Sequence, residues 1–221
     1  MDFCVIIPDR GDRKEFTDHC IFQIKRQTIQ PVEVFHIDYK PRSNDVDIIE
    51  RIRHGIFLAK KQCFDYAYII ENDDYYPDNY FESMSFKGSD FVGINSTIYY
   101  NIHYGLYRKI YHPLRSSLFC TGFKISGLKD FTWPEDNTVY LDKALWHFAW
   151  HRKTKPNRWI LYSPENMPIG IKHGIGKCGG IYHTTGLGKY NNQDNDFKWL
   201  SQNIRPESLE FYKRIRQILS S

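Results

Sequence analysis

The sequence predicts an α/β fold: a mostly parallel sheet flanked by helices, with a small region of β structure and loops to one side. Three observations lead there. Residues 3–7 and 66–70 are short apolar runs of the kind that form strands buried on both faces, and residues 32–37 form a second strand between them. Helical periodicity fills the intervals, with Phe16, Cys20, Ile21 and Ile24 on one face of the first segment and Ile49, Ile52, Ile56 and Ala59 on one face of the second. The second and third strands run directly into acids, Asp38 and then Glu71, Asp73 and Asp74. In open α/β sheets the crevice at such strand ends is where ligands bind.

Whole-chain properties narrow the class. A length of 221 residues suits one domain, and a net charge of +4 does not mark a nucleic-acid binder. The five cysteines are widely spaced with no Cys-x-x-Cys pair, which argues against a zinc ribbon and for small buried thiols in a reducing compartment. No leader is read before the first strand and no apolar run approaches membrane-spanning length. The expectation is a cytoplasmic protein without a membrane partner.

The first strand ends at Pro8. In the loop after it, Gly11 supplies a tight turn, and Arg10 and Arg13 face a crevice that could hold phosphates. The Arg-Gly-Asp triplet here sits between a strand and a helix, the wrong place for an adhesion signal. Asp38 is either a turn residue or an acid for a nucleoside base or ribose. Ser43, Asn44 and Asp45 offer caps for the second helix. Arg51 and Arg53 lie off its apolar stripe and read as surface residues, with Arg53 the candidate to meet a diphosphate.

Glu71-Asn72-Asp73-Asp74 is the most informative stretch. Carboxylates crowded at the end of a buried strand repel one another, and a divalent cation is the usual remedy. One reading is a metal site that holds a diphosphate; the other is an acidic turn. Pro77 stops the strand, and Asp78 is expected to cap a helix from Asn79.

Beyond a further strand at 90–94, the tyrosine-rich segments 96–101 and 104–111 form a β excursion. Its tyrosines either stack on a sugar or base or pack a small meander. Residues 117–123 bring the chain back beneath the site. The next helix turns Leu141, Ala144, Leu145 and Phe148 inward. Asp142 in its first turn is a carboxylate favoured by the helix dipole or a general base. From Trp146 to Trp159, basic residues including Arg152 and Lys153 alternate with tryptophans, as a solvated loop or as a surface for exposed nucleic acid. Residues 170–180 hold five glycines in eleven positions, flanked by Lys172, His173 and His183. Such a loop lets backbone N–H groups approach an anion, as a diphosphate or metal lid, although no Gly-Lys-Ser/Thr phosphate loop is present. Pro206 starts a last helix with Leu209, Tyr212, Ile215 and Leu219 inward.

In this order, Ile6-Ile7-Pro8-Asp9-Arg10-Gly11-Asp12-Arg13, a second strand ending in Asp38 and a strand ending in Glu71-Asn72-Asp73-Asp74 resemble the GT-A glycosyltransferases, family 2-like. Glu71-x-Asp73 departs from that group's Asp-x-Asp. The Lys172-His173-Gly174 segment with its following glycines and His183 looks more particularly like phage glycosyltransferases found beside TET-type dioxygenases. The resemblance implies one GT-A domain, with a nucleotide-sugar-binding half at 1–94, an acceptor and catalytic half at 95–189 and a helical tail at 190–221. It implies a nucleotide-sugar donor, a UDP-sugar foremost, and Mn2+ or Mg2+. Pro8, Arg10 and Asp38 would line the nucleoside pocket. Arg53, Glu71, Asn72, Lys172 and His173 would complete the donor site. Asp73 and His183 would hold the metal, and Asp142 would be the base of an inverting reaction. Trp146, Arg152 and Lys153 would meet the acceptor, for which a hydroxymethylated base in DNA and a glycan are the candidates. A nucleotidyltransferase and a non-catalytic nucleic-acid-binding protein on the same scaffold are the rival readings.

Overall fold

A computed structural model describes residues 2–39, 47–135, 138, 140–151, 159–174 and 190–220, with the backbone alone at 219 and 220. The expected caps Ser43 to Asp45, the Leu219 side chain, Arg152, Lys153 and His183 lie outside the described residues.

The α/β class holds. A six-stranded sheet runs in the order β2-β1-β3-β7-β4-β8, made of β1 Phe3–Pro8, β2 Glu33–Ile37, β3 Tyr66–Ile69, β4 Phe91–Ile94, β7 Thr121–Lys124 and β8 Trp159–Tyr162. The pairs β1–β2, β1–β3 and β4–β8 are parallel, and only β7 opposes its neighbours β3 and β4. Thus β1, β2 and β3 all end on one edge, and the loops after them converge there.

Strand β1 shows why its sequence is a continuous apolar run. Cys4 and Ile6 join a core with Ile49, Ile52, Ile56 and Ala59 of helix α2 (Ile48–Lys61). Phe3, Val5 and Ile7 join the opposite core with Cys20 and Ile24 of helix α1 (Lys14–Lys25). Side chains alternate across a strand, so a helix on each face demands apolar residues at every position. At Gly55 a Cβ would come within 2.4 Å of the Ile6 side chain, so this glycine sets how closely α2 lies on β1.

The tyrosine-rich excursion is a second sheet of four strands in the order β10-β6-β5-β9. It contains β5 Ser96–Asn101, β6 Leu106–Tyr111, β9 Ile169–Lys172 and the short β10 Asn192–Gln193. Its tyrosines pack a meander. Tyr100 is fully buried, and Tyr107 stacks on Trp199 at a centroid distance of 4.0 Å. The first part of the glycine-rich stretch is therefore a strand, because Ile169 and Ile171 have a core to enter.

Two local expectations change. Asp78 does not cap the next helix, the single turn α3 (Tyr80–Ser83), whose N-cap is Asn79. Instead Asp78 accepts a two-pronged ion pair from Arg205. The C-terminal helices, α5 (Lys198–Asn203) and α6 (Pro206–Ser220), are also more than a tail. Phe211 of α6 stacks on His19 of α1 at 4.1 Å and meets Phe16 edge-on. The Tyr212 hydroxyl donates to the Asp73 carbonyl at 3.4 Å. Helix α4 (Leu141–His151) covers the other core through Leu141, Leu145, Trp146 and Ala149.

His19 carries a measurable consequence. Burial, helped by Arg214, pushes its pKa down from 6.5 to about 4. Between those values the unfolded chain takes up a proton that the folded chain refuses. Stability should therefore fall as pH drops from 6.5 towards 4, by on the order of 2–3 kcal/mol. In His19→Phe this component should vanish while the ring stack remains. Urea melts of both proteins across this range check it; parallel pH profiles would show that His19 does not contribute.

Candidate active site

The site forms where β1 and β3 end. Its foundation is the turn after β3. Helix α1 and the segment just after it supply the buried amides that hold this turn. Gln23 donates to the Asp74 carbonyl at 3.0 Å and accepts from the Tyr76 N–H at 2.8 Å, and Gln27 donates to the Pro77 carbonyl at 2.8 Å. Three buried backbone groups of the turn are thereby paired within the protein. The turn also pairs with the second sheet, through Tyr75 and Ile169 and through the Ile171 N–H, which donates to Asp74 Oδ1 at 2.7 Å.

On this turn, Glu71, Asp73 and Asp74 bring carboxylate oxygens within 4.8 Å of one another. The charges are handled unequally. Burial would raise the Asp73 carboxyl, but the Arg13 guanidinium, then His173 and Lys172, hold it well below the usual carboxylate range. Burial pushes Glu71 up to about 7 against the pull of Lys172, with Asp73 and Asp142 adding to the rise. Asp74 is raised well above its ordinary value by burial, and its Oδ2 is buried without a hydrogen-bond partner. Lys172 is buried among the three acids, which overcome its desolvation and raise its pKa.

Arg13 is the residue that the sequence left in the background. Its Nη1 donates to Asp73 Oδ2 at 3.1 Å and lies 3.2 Å from His173 Nε2, and its Nη2 donates to Asn72 Oδ1 at 3.1 Å. His173 Nε2 is 2.9 Å from Asp73 Oδ2. Asn72 is committed to this network, donating from Nδ2 to Thr17 Oγ1 at 3.0 Å. Thr17 Oγ1 donates in turn to Asp9 Oδ2, which His36 Nε2 also approaches at 2.7 Å. Two arginines share the loop; only Arg13 stands directly before α1, where the helix start turns it inwards.

The other expected donor residues are spread along the same edge. Pro8 is the buried end of β1, while Arg10 is exposed and paired with Asp12 at 3.1 Å. Asp38 is exposed beside the loop, and a Cβ on Gly11 would come within 2.6 Å of its carbonyl, so this close approach and a φ of +73° require glycine. Of the two arginines on α2, Arg53 is exposed and Arg51 is buried. Reading Arg51 as a surface residue is corrected: it donates to the carbonyls of Asp9 and Ile37 and to Asp47, so it fastens the two loops together. Its position off the apolar stripe concealed this, because its partners are backbone carbonyls.

Asp142 lies in the first turn of α4, nearly buried and ion-paired with Arg115. It is near enough to raise the Glu71 pKa. Burial raises its own pKa, and Arg115 opposes the rise. Trp146 is a correction. It is 1% exposed, donates from Nε1 to Thr121 Oγ1 at 3.0 Å and packs beside Phe91. A side chain enclosed in this way cannot stack on an acceptor.

The oxygen-rich trio fits a hard divalent cation. Asp74 Oδ2 is an orphaned buried acceptor, and two of the three carboxyls have raised pKa values despite the positive side chains nearby. Glu71, Asp73 and Asp74 would hold such an ion.

No family model matches the chain, and no curated protein matches it. Solved structures do. S. aureus TarS 1–349 in complex with UDP aligns at 13% identity and a TM-score of 0.47, covering 77% of this chain and 60% of that one. TarS 1–349 in complex with UDP-GlcNAc aligns at 12% identity and a TM-score of 0.49, covering 97% and 79%. A197 from STIV aligns at 16% identity and a TM-score of 0.42, covering 74% and 82%. The chain thus spans about 60% of the UDP-bound TarS structure. At these identities and scores no activity transfers from them. No helix among the described residues is long and apolar enough to cross a membrane.

Trp146→Ala should cost about 3–5 kcal/mol of stability, as removal of a large core side chain does. Nucleotide affinity of the folded protein, measured in the cold, should be unchanged. Unaltered stability with loss of acceptor binding would return Trp146 to an acceptor surface.

Proposed function

We propose that this chain is a glycosyltransferase of the GT-A type, which moves a sugar from a nucleotide-sugar donor to an acceptor hydroxyl with the help of Mn2+ or Mg2+. The observation that carries this reading is the trio Glu71, Asp73 and Asp74 at the carboxyl edge of a parallel strand, with half-buried Arg13 and buried Lys172 beside it and Asp142 within electrostatic reach.

In this reading Pro8, Arg10 and Asp38 border the nucleoside, and Arg13, Lys172 and His173 lie beside the diphosphate. A bound divalent cation would offset the negative charge that develops on the leaving diphosphate. Asp142 takes the proton of the acceptor hydroxyl as that oxygen bonds to the anomeric carbon. The bond from that carbon to the diphosphate oxygen breaks on the opposite side, which inverts the centre. Burial suits Asp142 to this task, because a carboxylate with a raised pKa is a stronger base. Arg115 keeps it ionised and aimed. The acceptor side remains a hydroxyl compound; with Trp146 in the core, a DNA base rests on Arg152 and Lys153 alone.

Thermal shifts and donor hydrolysis test the reading together. UDP or a UDP-sugar should raise the melting temperature more with Mn2+ than without, and Asp73→Ala should abolish that increment. Asp142→Asn should keep the UDP shift yet lower the turnover of a hydrolysed or transferred donor by about a hundredfold or more. Absence of any nucleotide shift across uridine, adenosine, guanosine and thymidine diphosphates, each with Mn2+ and Mg2+, would reject the transferase. Full turnover in Asp142→Asn would remove Asp142 as the base.

A further inference from the structure

Arg13, Asp73 and His173 form a closed triangle. Arg13 Nη1 is 3.1 Å from Asp73 Oδ2 and 3.2 Å from His173 Nε2, and these last two atoms are 2.9 Å apart. The three contacts cannot all be hydrogen bonds. If Nε2 carries a proton it can donate to Asp73, but it then faces the N–H of Arg13. If Nε2 is bare it can accept from Arg13, but its lone pair then faces the carboxylate. Two lone pairs converging on one point with a cation between them would satisfy every group. Arg13 supplies that positive charge through the two N–H groups of Nη1, one for each acceptor.

We propose that Arg13 couples the loading of a divalent cation to the loading of the diphosphate. The inference rests on reading the trio as a metal and diphosphate site. In the free protein Arg13 stands on Asp73 Oδ2 and acts as its counter-ion. A divalent cation bonded to that oxygen would press directly on the guanidinium, so Arg13 must turn away before such an ion is held. The Arg13 side chain is only 15% exposed, and displacement by a cation alone would leave a largely buried positive charge with Asn72 Oδ1 and the long 3.9 Å contact from Nε to the half-exposed Asp12 carboxylate in place of its bond to Asp73. A diphosphate arriving alone meets three crowded carboxylates. When both arrive, the diphosphate takes the guanidinium from Asp73 and the cation takes its place. Each ligand removes the cost that opposes the other.

Arg13 is well placed for this exchange. It lies between the Gly11 turn and the first residue of α1, on the loop that faces the strand-end crevice. Asn72 holds the second prong of the guanidinium, so a rotation about the side chain moves Nη1 without releasing the whole group. A lysine could form the ion pair but could not grip Asn72 and Asp73 with the same planar fork.

Such coupling is reciprocal and directly measurable. The amplitude of the free Mn2+ paramagnetic resonance signal gives Mn2+ affinity without any turnover. In the wild-type protein, saturating UDP should tighten Mn2+ binding by roughly 5- to 150-fold. In Arg13→Gln, Mn2+ alone should bind more tightly than to the wild type, and UDP should add less than about threefold. Arg13→Lys keeps the charge and should shift both quantities in the same direction by less, which keeps the test open if the glutamine variant does not fold. Circular dichroism melts without ligand establish folding. Wild-type coupling that survives in both variants would overturn the role of Arg13 and leave the site's assignment standing. A wild-type protein that binds neither Mn2+ nor UDP would overturn the assignment itself, and the inference with it.

Discussion

Three carboxylates at the end of one buried strand are the constraint around which this molecule is arranged. At 4 Å and an effective dielectric of about 20, two like charges repel by about 4 kcal/mol, a large part of the 5–15 kcal/mol that holds a domain together. The chain therefore brings positive side chains from distant segments to the same place. Arg13 comes from the loop after the first strand, and Lys172 and His173 come from the end of a strand in the second sheet. The compensation is deliberately incomplete in electrostatic terms: Asp73 is held ionised, while Glu71 and Asp74 still favour their protons. Two carboxyls that favour their protons can still release them to an incoming positive charge, which is the property a cation site would use.

The rest of the fold maintains this placement. Gln23 of α1 and Gln27 just beyond its end hold the backbone of the acid turn, and Tyr212 closes it from α6. Asp9, Thr17 and Asn72 form a chain of hydrogen bonds that ties the loop after β1 to the turn carrying the acids. Arg51 ties that loop to the end of β2 from behind. These are buried polar groups, each costly to leave unsatisfied, so the loop conformation is specified almost as strictly as the apolar core.

What could be read from the sequence divides along physical lines. Strands β1, β3 and β4 were legible because burial on both faces imposes an unbroken apolar run, while the edge strand β2, with Glu33 and His36 exposed, was legible from alternation of apolar and polar residues. The acids were legible because their crowding has no cheap structural explanation. The identity of their counter-ions was not, since Arg13 and Lys172 stand 60 and 99 positions from Asp73 in the chain, and no local pattern links them. Trp146 misled for a related reason. Aromatic residues beside basic ones suggest a stacking surface, yet a helix places neighbours on different faces, and this one faces Thr121 and the core. The tyrosines of the second sheet were ambiguous until Trp199 and Phe197 supplied ring partners from the C-terminal segment.

Differential tuning of the carboxyls sorts their chemical roles. A group meant to hold a cation should stay ionised, and Asp73 does so through contact with Arg13 and His173. A group meant to receive a proton should have a raised pKa and yet be ionised when the acceptor arrives. In the proposed transferase Asp142 is the candidate for that part, because burial raises it and Arg115 restrains the rise. Glu71 lies between them, pushed up to about 7 by burial, with both adding to the rise. Any positive charge that enters the trio will draw the proton from Glu71 and so remove one source of variation in the field that Asp142 feels. In the proposed transferase, cation loading and the field at Asp142 would be linked through one intermediate carboxyl, without any movement of the backbone.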